Sequence, residues 1–167
     1  MQVKTNYQDV FDHANDAIFI HDEDTGAILD ANRMAASLTG YPVEQLLRMD
    51  VGDISSARRG CDSEAARVLI QRVIHDGPQI FEWWLRRPDG SDLPIEVNLK
   101  HIISDGHPRV IALLRDIRER KEAEARLVER EAYYRRLIGS ISDGIAILDR
   151  LGHIRWVGPS IRQVLGF

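Results

Sequence analysis

The sequence predicts an α+β fold, built from antiparallel strands and intervening helices and followed by a long charged helix. Three observations carry this. Short strand patterns stand at both ends of a region punctuated by glycine and proline turns, and helical patterns lie between them. In the stretch Leu93–Ile103, Ile95, Val97 and Leu99 alternate with Glu96, Asn98 and Lys100, the period of a half-buried antiparallel strand. From Ile117 to Ile138, 12 of 22 residues are charged and neither glycine nor proline occurs, so the chain turns there from core-forming to helical and solvated.

The elements follow in order. Ala17–His21 and Ala27–Ala31 read as two short strands joined by an acidic turn that carries Gly26. Asn32 stands where an N-cap belongs, its side-chain oxygen able to accept a free amide of the next turn. The short helix it opens, Arg33–Leu38, ends against Thr39-Gly40, and Pro42 suits the first position of a second short helix, Pro42–Leu47. Gly52 to Gly60 is polar and has no period. An amphipathic helix then runs from Asp62 to His75, with Ala65, Val68, Leu69 and Val73 on its apolar face and Gly77-Pro78 as its stop. Gln79–Arg86 leads through Pro88-Asp89-Gly90 into Leu93–Ile103, and Asp105-Gly106 precedes the last strand, Arg109–Asp116. Both faces of Val110–Leu114 are apolar, so the far side of the sheet is expected to be covered as well. Trp83 and Trp84 are neighbours on one strand and must point to opposite faces, Trp83 inward with Phe81 and Leu85, Trp84 outward.

The charged segment has well-ordered i,i+4 pairs, Glu122 with Arg126 and Glu131 with Arg135. Leu127, Tyr134, Ile138 and Ile141 are spaced 7, 4 and 3 residues apart, a heptad-like seam interrupted by Glu124 and Glu131. That pattern predicts a homodimer joined along the helix.

The end of the chain repeats its beginning. Tyr7 to Asp22 aligns on Tyr134 to Asp149 at an offset of 127, with Ile18 on Ile145, Ile20 on Ile147 and Asp22 on Asp149. After one skipped residue, Gly26, Ile28, Leu38, Gly40 and Tyr41 fall on Gly152, Ile154, Val164, Gly166 and Phe167. The organisation is therefore one complete domain over residues 1–116, a helical linker over 117–141, and over 142–167 the first part of a second copy.

Composition narrows the function. The 167 residues are 44% apolar and 29% charged with a net charge of −4, an ordinary soluble globular balance. The basic pairs Arg58-Arg59, Arg86-Arg87 and Arg135-Arg136 each have acidic neighbours, so no nucleic-acid partner is expected. The one cysteine, Cys61, excludes an intrachain disulfide and a multi-thiolate zinc site, and it fits a reducing cytoplasm. No apolar run follows Met1, and no stretch is long enough to span a membrane, so a cytoplasmic location is expected.

With these elements in order, the chain resembles the PAS/PAC sensory family. The residues that carry the resemblance are Asp16-Ala-Ile-Phe-Ile-His-Asp22, Ala31-Asn32, Leu38-Thr-Gly-Tyr-Pro-Val-Glu-Gln-Leu-Leu47, Arg86-Arg-Pro-Asp-Gly-Ser91 and Leu114-Arg-Asp-Ile-Arg-Glu-Arg-Lys-Glu-Ala123. The resemblance spans residues 7 to 123 and restarts near Tyr134. It implies a five-stranded antiparallel sheet in the order 2-1-5-4-3, helices on one face, and a space between them that can hold a small molecule. It also implies that a change of state passes down the connecting helix to an effector such as a histidine kinase or a cyclic-dinucleotide enzyme. Where the family commonly has Asp-Ile-Thr after the last strand, this chain keeps Asp116 but has Arg118, so these two residues are the expected signalling junction.

No phosphate loop, nucleophile elbow or metal-ligand spacing is present, and the six histidines are dispersed; no catalytic residue and no metal site are expected. His21 and His101 read as strand-surface residues, His75 as a helix-end cation. Asp22, Glu23 and Asp24 read as a solvated turn. In haem-binding members of the family the iron-ligating histidine lies on the long helix, and counting back from Gly77 that position is Ala66, which cannot ligate iron. Cys61 stands in Arg-Gly-Cys-Asp-Ser, without the asparagine and glutamine of the flavin-adduct motif, so neither cofactor is expected. The candidate pocket lining is Leu47, Val51, Val73, Phe81, Trp83, Ile95, Val97 and Leu114. The reading is a sensory module for an unidentified small ligand or for the state of a neighbouring domain; the alternative is a ligand-free dimerisation and spacer module with a filled core.

Overall fold

A computed structural model describes residues 7–104, 106–140 and 146–158. The chain divides into two compact units, Met1–Arg118 and Glu119–Phe167. Asp105 of the second turn, and Ile141, Ile145, Val164, Gly166 and Phe167 of the seam and the repeat, lie outside the described residues.

The first unit begins with helix α1 (Tyr7–Asp12), then strands β1 (Ala17–Asp22) and β2 (Ile28–Ala31). Helices α2 (Arg33–Thr39), α3 (Val43–Leu46) and α4 (Ser63–Asp76) follow, then strands β3 (Gln79–Arg86), β4 (Asp92–Ser104) and β5 (His107–Asp116). The five strands form one sheet in the order β2-β1-β5-β4-β3, every pairing antiparallel. Both termini of the domain thus meet at the centre, where β1 lies against β5, Phe19 opposite Ala112 and His21 opposite Val110.

Local chemistry sets each boundary. Asn32 caps α2 as expected, accepting the Ala35 amide at 2.9 Å, and Asp62 caps α4 in the same way through Ala65 at 2.9 Å. Asn32 is wholly buried and has a wider role. Its Oδ1 also accepts the Ile18 amide at 3.0 Å, while Nδ2 donates to the Phe11 and Asp16 carbonyls at 2.9 and 3.1 Å. One amide side chain therefore joins α1, β1 and α2 with both its groups satisfied. Pro42 differs from the expectation: at φ −64° and ψ 151° it is the extended residue before α3, and its carbonyl accepts the Gln45 and Leu46 amides.

The core lies between the inner face of the sheet and the helices. Ala17, Phe19, Trp83, Leu85, Leu93, Ile95, Val97, Leu99, Val110, Ala112 and Leu114 come from the strands; Ala35, Leu46, Ala66, Ile70 and Val73 come from the helices. The aperiodic stretch before α4 closes the β3 edge. Ser56 donates its amide to the Trp84 carbonyl at 2.9 Å and Ile54 accepts from Arg86 at 2.9 Å, so β3 presents no long bare edge here. Trp84 is half-buried, with the Arg59 guanidinium 4.4 Å above its ring. On the far face, Ile18, Ile20, Ile111 and Leu113 are half-buried.

The second unit contains most of α5 (Arg118–Ser140) and a hairpin of β6 (Ala146–Leu148) and β7 (Ile154–Val157). The hairpin reproduces β1–β2 in detail. Phe19 opposite Ala31 corresponds to Ala146 opposite Val157, and the register shift between Ile20 and His21 recurs between Ile147 and Leu148. The turns match too. Asp149 Oδ1 accepts the Leu151 and His153 amides as Asp22 Oδ1 accepts those of Asp24 and Thr25. All the residues of β6 and β7 are exposed.

Candidate functional site

Between sheet and helices the core leaves a cavity of about 50 Å³. One water needs roughly 10–15 Å³ by this measure, so the space suits a molecule of several heavy atoms. Strand alternation puts Phe19, His21, Phe81, Trp83, Ile95, Val97, Leu99, Val110, Ala112 and Leu114 on its sheet side; Ala66, Leu69 and Ile70 of α4 and Val51, Ile54 and Ser55 of the connecting loop form its other wall.

Six of the eight residues expected to line it do so: Val51, Phe81, Trp83, Ile95, Val97 and Leu114. Two do not. Leu47 follows α3 and points outward, 44% exposed, while Leu46 takes the buried position beside it. Val73 is buried in the core but one turn of α4 beyond the cavity, which Ala66, Leu69 and Ile70 line instead. Ile54 and Ser55 come from the stretch without a period, where no pattern could announce them.

His21 is the main correction. It was expected at the strand surface and is only 5% exposed, stacked on Phe19 with ring centroids 5.9 Å apart. Ala17, Phe19 and His21 alternate inward together, and Ile18 and Ile20 fill the other face, so hydrophobicity alone could not tell the two sides apart. Its Nδ1 lies 3.2 Å from the Gly26 carbonyl. Burial pushes its pKa down to about 4, outweighing the Gly26 hydrogen bond and the Asp50 charge, both of which raise it. The ring is therefore neutral at physiological pH.

The other polar atoms of the wall engage one another. Trp83 Nε1 donates to Ser55 Oγ at 2.9 Å, and Ser55 Oγ donates to the Val51 carbonyl at 2.6 Å. No charged side chain lines the cavity. Ala66, at the position of the haem-ligating histidine in haem-binding relatives of the resembled family, lines it with a methyl group. Cys61 is buried away from the lining, and burial pushes its thiol pKa up, which makes it a poor nucleophile. Among the described residues no cluster of His, Cys, Asp and Glu could hold a metal ion, and no helix is long and apolar enough to cross a membrane.

The acidic turn is an organised one. Asp22 accepts from Thr25 and Arg109, and His101 Nε2 lies 2.9 Å from Glu23. At the other end of the sheet, Asp116 accepts the Arg118 amide at 2.9 Å and its guanidinium Nη2 at 2.6 Å. Burial raises the Asp116 pKa, but the Arg118 hydrogen bonds outweigh it and hold the carboxyl below its usual range. Ile117 between them is buried and donates its amide to the Pro94 carbonyl at 3.2 Å. On α5, Leu127 and Tyr134 are exposed and Ile138 is half-buried.

Fold and cavity define a sensory class of domain. A family model described as a PAS domain matches residues 15–119, and a second PAS model matches residues 132–167. The chain belongs to the PAS domain family. It is 26% identical over 98% of its length to a methyl sulfide methyltransferase-associated sensor of Methanosarcina acetivorans, of which it covers 15%. It is also 26% identical over 96% of its length to sporulation kinase E of Bacillus subtilis, of which it covers 21%. The chain thus spans less than a quarter of either curated relative. Among solved structures, a domain of a sensory box sensor histidine kinase/response regulator from Geobacter sulfurreducens is 32% identical, with a TM-score of 0.56 over 66% of this chain and 90% of that one. The PAS domain of an HTR-like protein from Haloarcula marismortui is 25% identical, with a TM-score of 0.60 over 66% and 88%. The chain is a sensory module for signal transduction.

Proposed function

We propose that this domain senses a small molecule held in the cavity between sheet and helices, and passes its occupancy through the Asp116–Arg118 junction and α5 to an effector in the same parent chain. The observation that carries this reading is the cavity. A filled core would have favoured a ligand-free spacer, whereas here the side chains stop short of one another around about 50 Å³. The route outward is short. Leu114 and Ile95 line the cavity, Asp116 lies two residues beyond Leu114 on β5 and opposite Ile95, and Ile117 is held to β4 through Pro94.

The effector is of the histidine kinase or cyclic-dinucleotide type, the parent works in the cytoplasm, and residues 142–167 open a second sensory copy in a tandem array. The kinase and sensor names of the relatives support the first of these, and the repeated hairpin register supports the last. The module acts as a homodimer, with Leu127, Tyr134 and Ile138 in the helical seam; Leu127 and Tyr134 are exposed and Ile138 half-buried on a helix otherwise dominated by charge. Neither haem nor an adduct-forming flavin belongs in this site, since it lacks the ligating histidine and the cysteine motif, and the space suits something smaller.

Native mass spectrometry of the protein purified without denaturation tests the reading. Retained mass of a small uncharged molecule, lost when the cavity is filled by substitution, is the expected result. A cavity that takes up no small apolar molecule, retained or added, would return the domain to the spacer reading.

A further inference from the structure

The polar atoms facing the cavity allow the ligand class to be narrowed; this step rests on the ligand-sensing reading above. Trp83 Nε1 is used on Ser55 Oγ, and the Ser55 hydroxyl is used on the Val51 carbonyl. His21 has two nitrogens. A carbonyl oxygen only accepts, so the 3.2 Å contact with Gly26 requires the proton on Nδ1. Nε2 then bears an unshared lone pair, and among the described residues no donor meets it. The ring is 95% buried by its 5% exposure and lines the cavity. Nε2 is not among the fully enclosed side-chain atoms, so it is open to the space that the ring lines, and a ligand O–H or N–H placed there gains a hydrogen bond that an apolar wall cannot otherwise offer. The remaining wall is apolar and carries no charge, so an ion entering it would lose its hydration without a partner.

We propose that the cavity ligand is a small uncharged molecule with an apolar body and one O–H or N–H group, which donates its hydrogen bond to Nε2 of His21. Small aliphatic alcohols of a few heavy atoms belong to this class; hydrocarbons lack the donor, and carboxylates and ammonium ions carry the excluded charge.

Isopropanol and isobutane separate the possibilities, since both are small enough for the cavity, share a shape and differ in the donor. The chain, labelled with ¹⁵N at histidine, is titrated with each at neutral pH by calorimetry and by nitrogen-detected NMR. Both are expected to compete for one site, and isopropanol alone is expected to move the unprotonated His21 Nε2 resonance to lower frequency. In His21→Phe the affinity of isopropanol relative to isobutane should fall roughly tenfold or more, the cost of the lost acceptor. If both compounds bind while Nε2 stays unmoved and the ratio survives in the variant, this assignment is overturned and the ligand reading stands. If neither binds, the ligand reading fails and this inference with it. Should His21→Phe not fold, the nitrogen spectrum of the unsubstituted chain decides alone.

Discussion

His21 reaches back to the carbonyl of Gly26 with its Nδ1 at 3.2 Å, closing the β1–β2 turn from inside the core. Gly26 sits at φ 72°, in the left-handed region, and a Cβ there would meet Val51 Cγ1 at 3.2 Å. Turn, cavity wall and a buried neutral imidazole are thereby one local arrangement, and its titration should be visible in the stability of the whole domain.

The first prediction follows from that burial. The folded pKa of His21 is about 4 against an ordinary 6.5, so protons bind the unfolded chain more tightly. The contribution is fully present above pH 6.5 and is lost as pH falls toward 4, about 3 kcal/mol in all. Asp22, Asp116 and Asp149 are held below the usual carboxylate range and titrate beneath this window. Urea unfolding measured across it should lose stability in the native chain and stay nearly level in His21→Phe. An equal slope in both would show that the imidazole is hydrated.

A second prediction separates the two roles of Asn32. Aspartate caps a helix as well as asparagine does, so a simple cap would tolerate Asn32→Asp. Here Nδ2 faces the Phe11 and Asp16 carbonyls, and a carboxylate would set oxygen against oxygen inside the core. Asn32→Asp should cost on the order of 3 kcal/mol at neutral pH, no less than Asn32→Ala. Chemical denaturation of both variants gives the comparison, and a near-native Asn32→Asp would refute the bridging role.

Filling the cavity supplies the third. Ala66 lies in its wall on α4, and leucine is a good helix former. Ala66→Leu should leave the domain folded, raise its stability by roughly 0.5–2 kcal/mol, and abolish the binding of isobutane. A loss of stability of about 1–3 kcal/mol would mean that the core has no spare room there.

The fourth concerns association. Leu127 is 66% exposed on α5 and seven residues before Tyr134. Leu127→Glu places charge in the seam and should shift the chain from dimer toward monomer in light scattering at matched concentrations, with helicity falling alongside. A native chain that is monomeric at high micromolar concentration would remove the dimer from the account.

Much of the fold was legible because its strands carry period-two patterns and its turns carry glycine or proline. β3 is bounded as read, and β4, with its alternating face, differs only by one residue at each end. The site was less legible. In Ala17–His21 both faces are apolar, so the side holding His21 could be settled only by its register with β5, a long-range fact. Leu46 and Leu47 are neighbours of one type, and only the axis of α3 decides which enters the core. Ile54 and Ser55 are held beside β3 by the backbone hydrogen bonds of Ile54 and Ser56, which leave no trace in side-chain pattern. Arg118, where the family has threonine, binds Asp116 through both its backbone and its guanidinium, an interaction that the departure itself disguised.

The central claim is that the state of the cavity reaches α5 through the end of β5. Amide hydrogen exchange of the chain with and without saturating isobutane tests it most directly. Occupancy should change protection in the cavity strands and also at residues 117–126, across the Asp116–Arg118 junction, and Asp116→Ala should confine the change to the strands. Protection that changes around Ile95 and Leu114 while residues 117–126 exchange as before would contradict it.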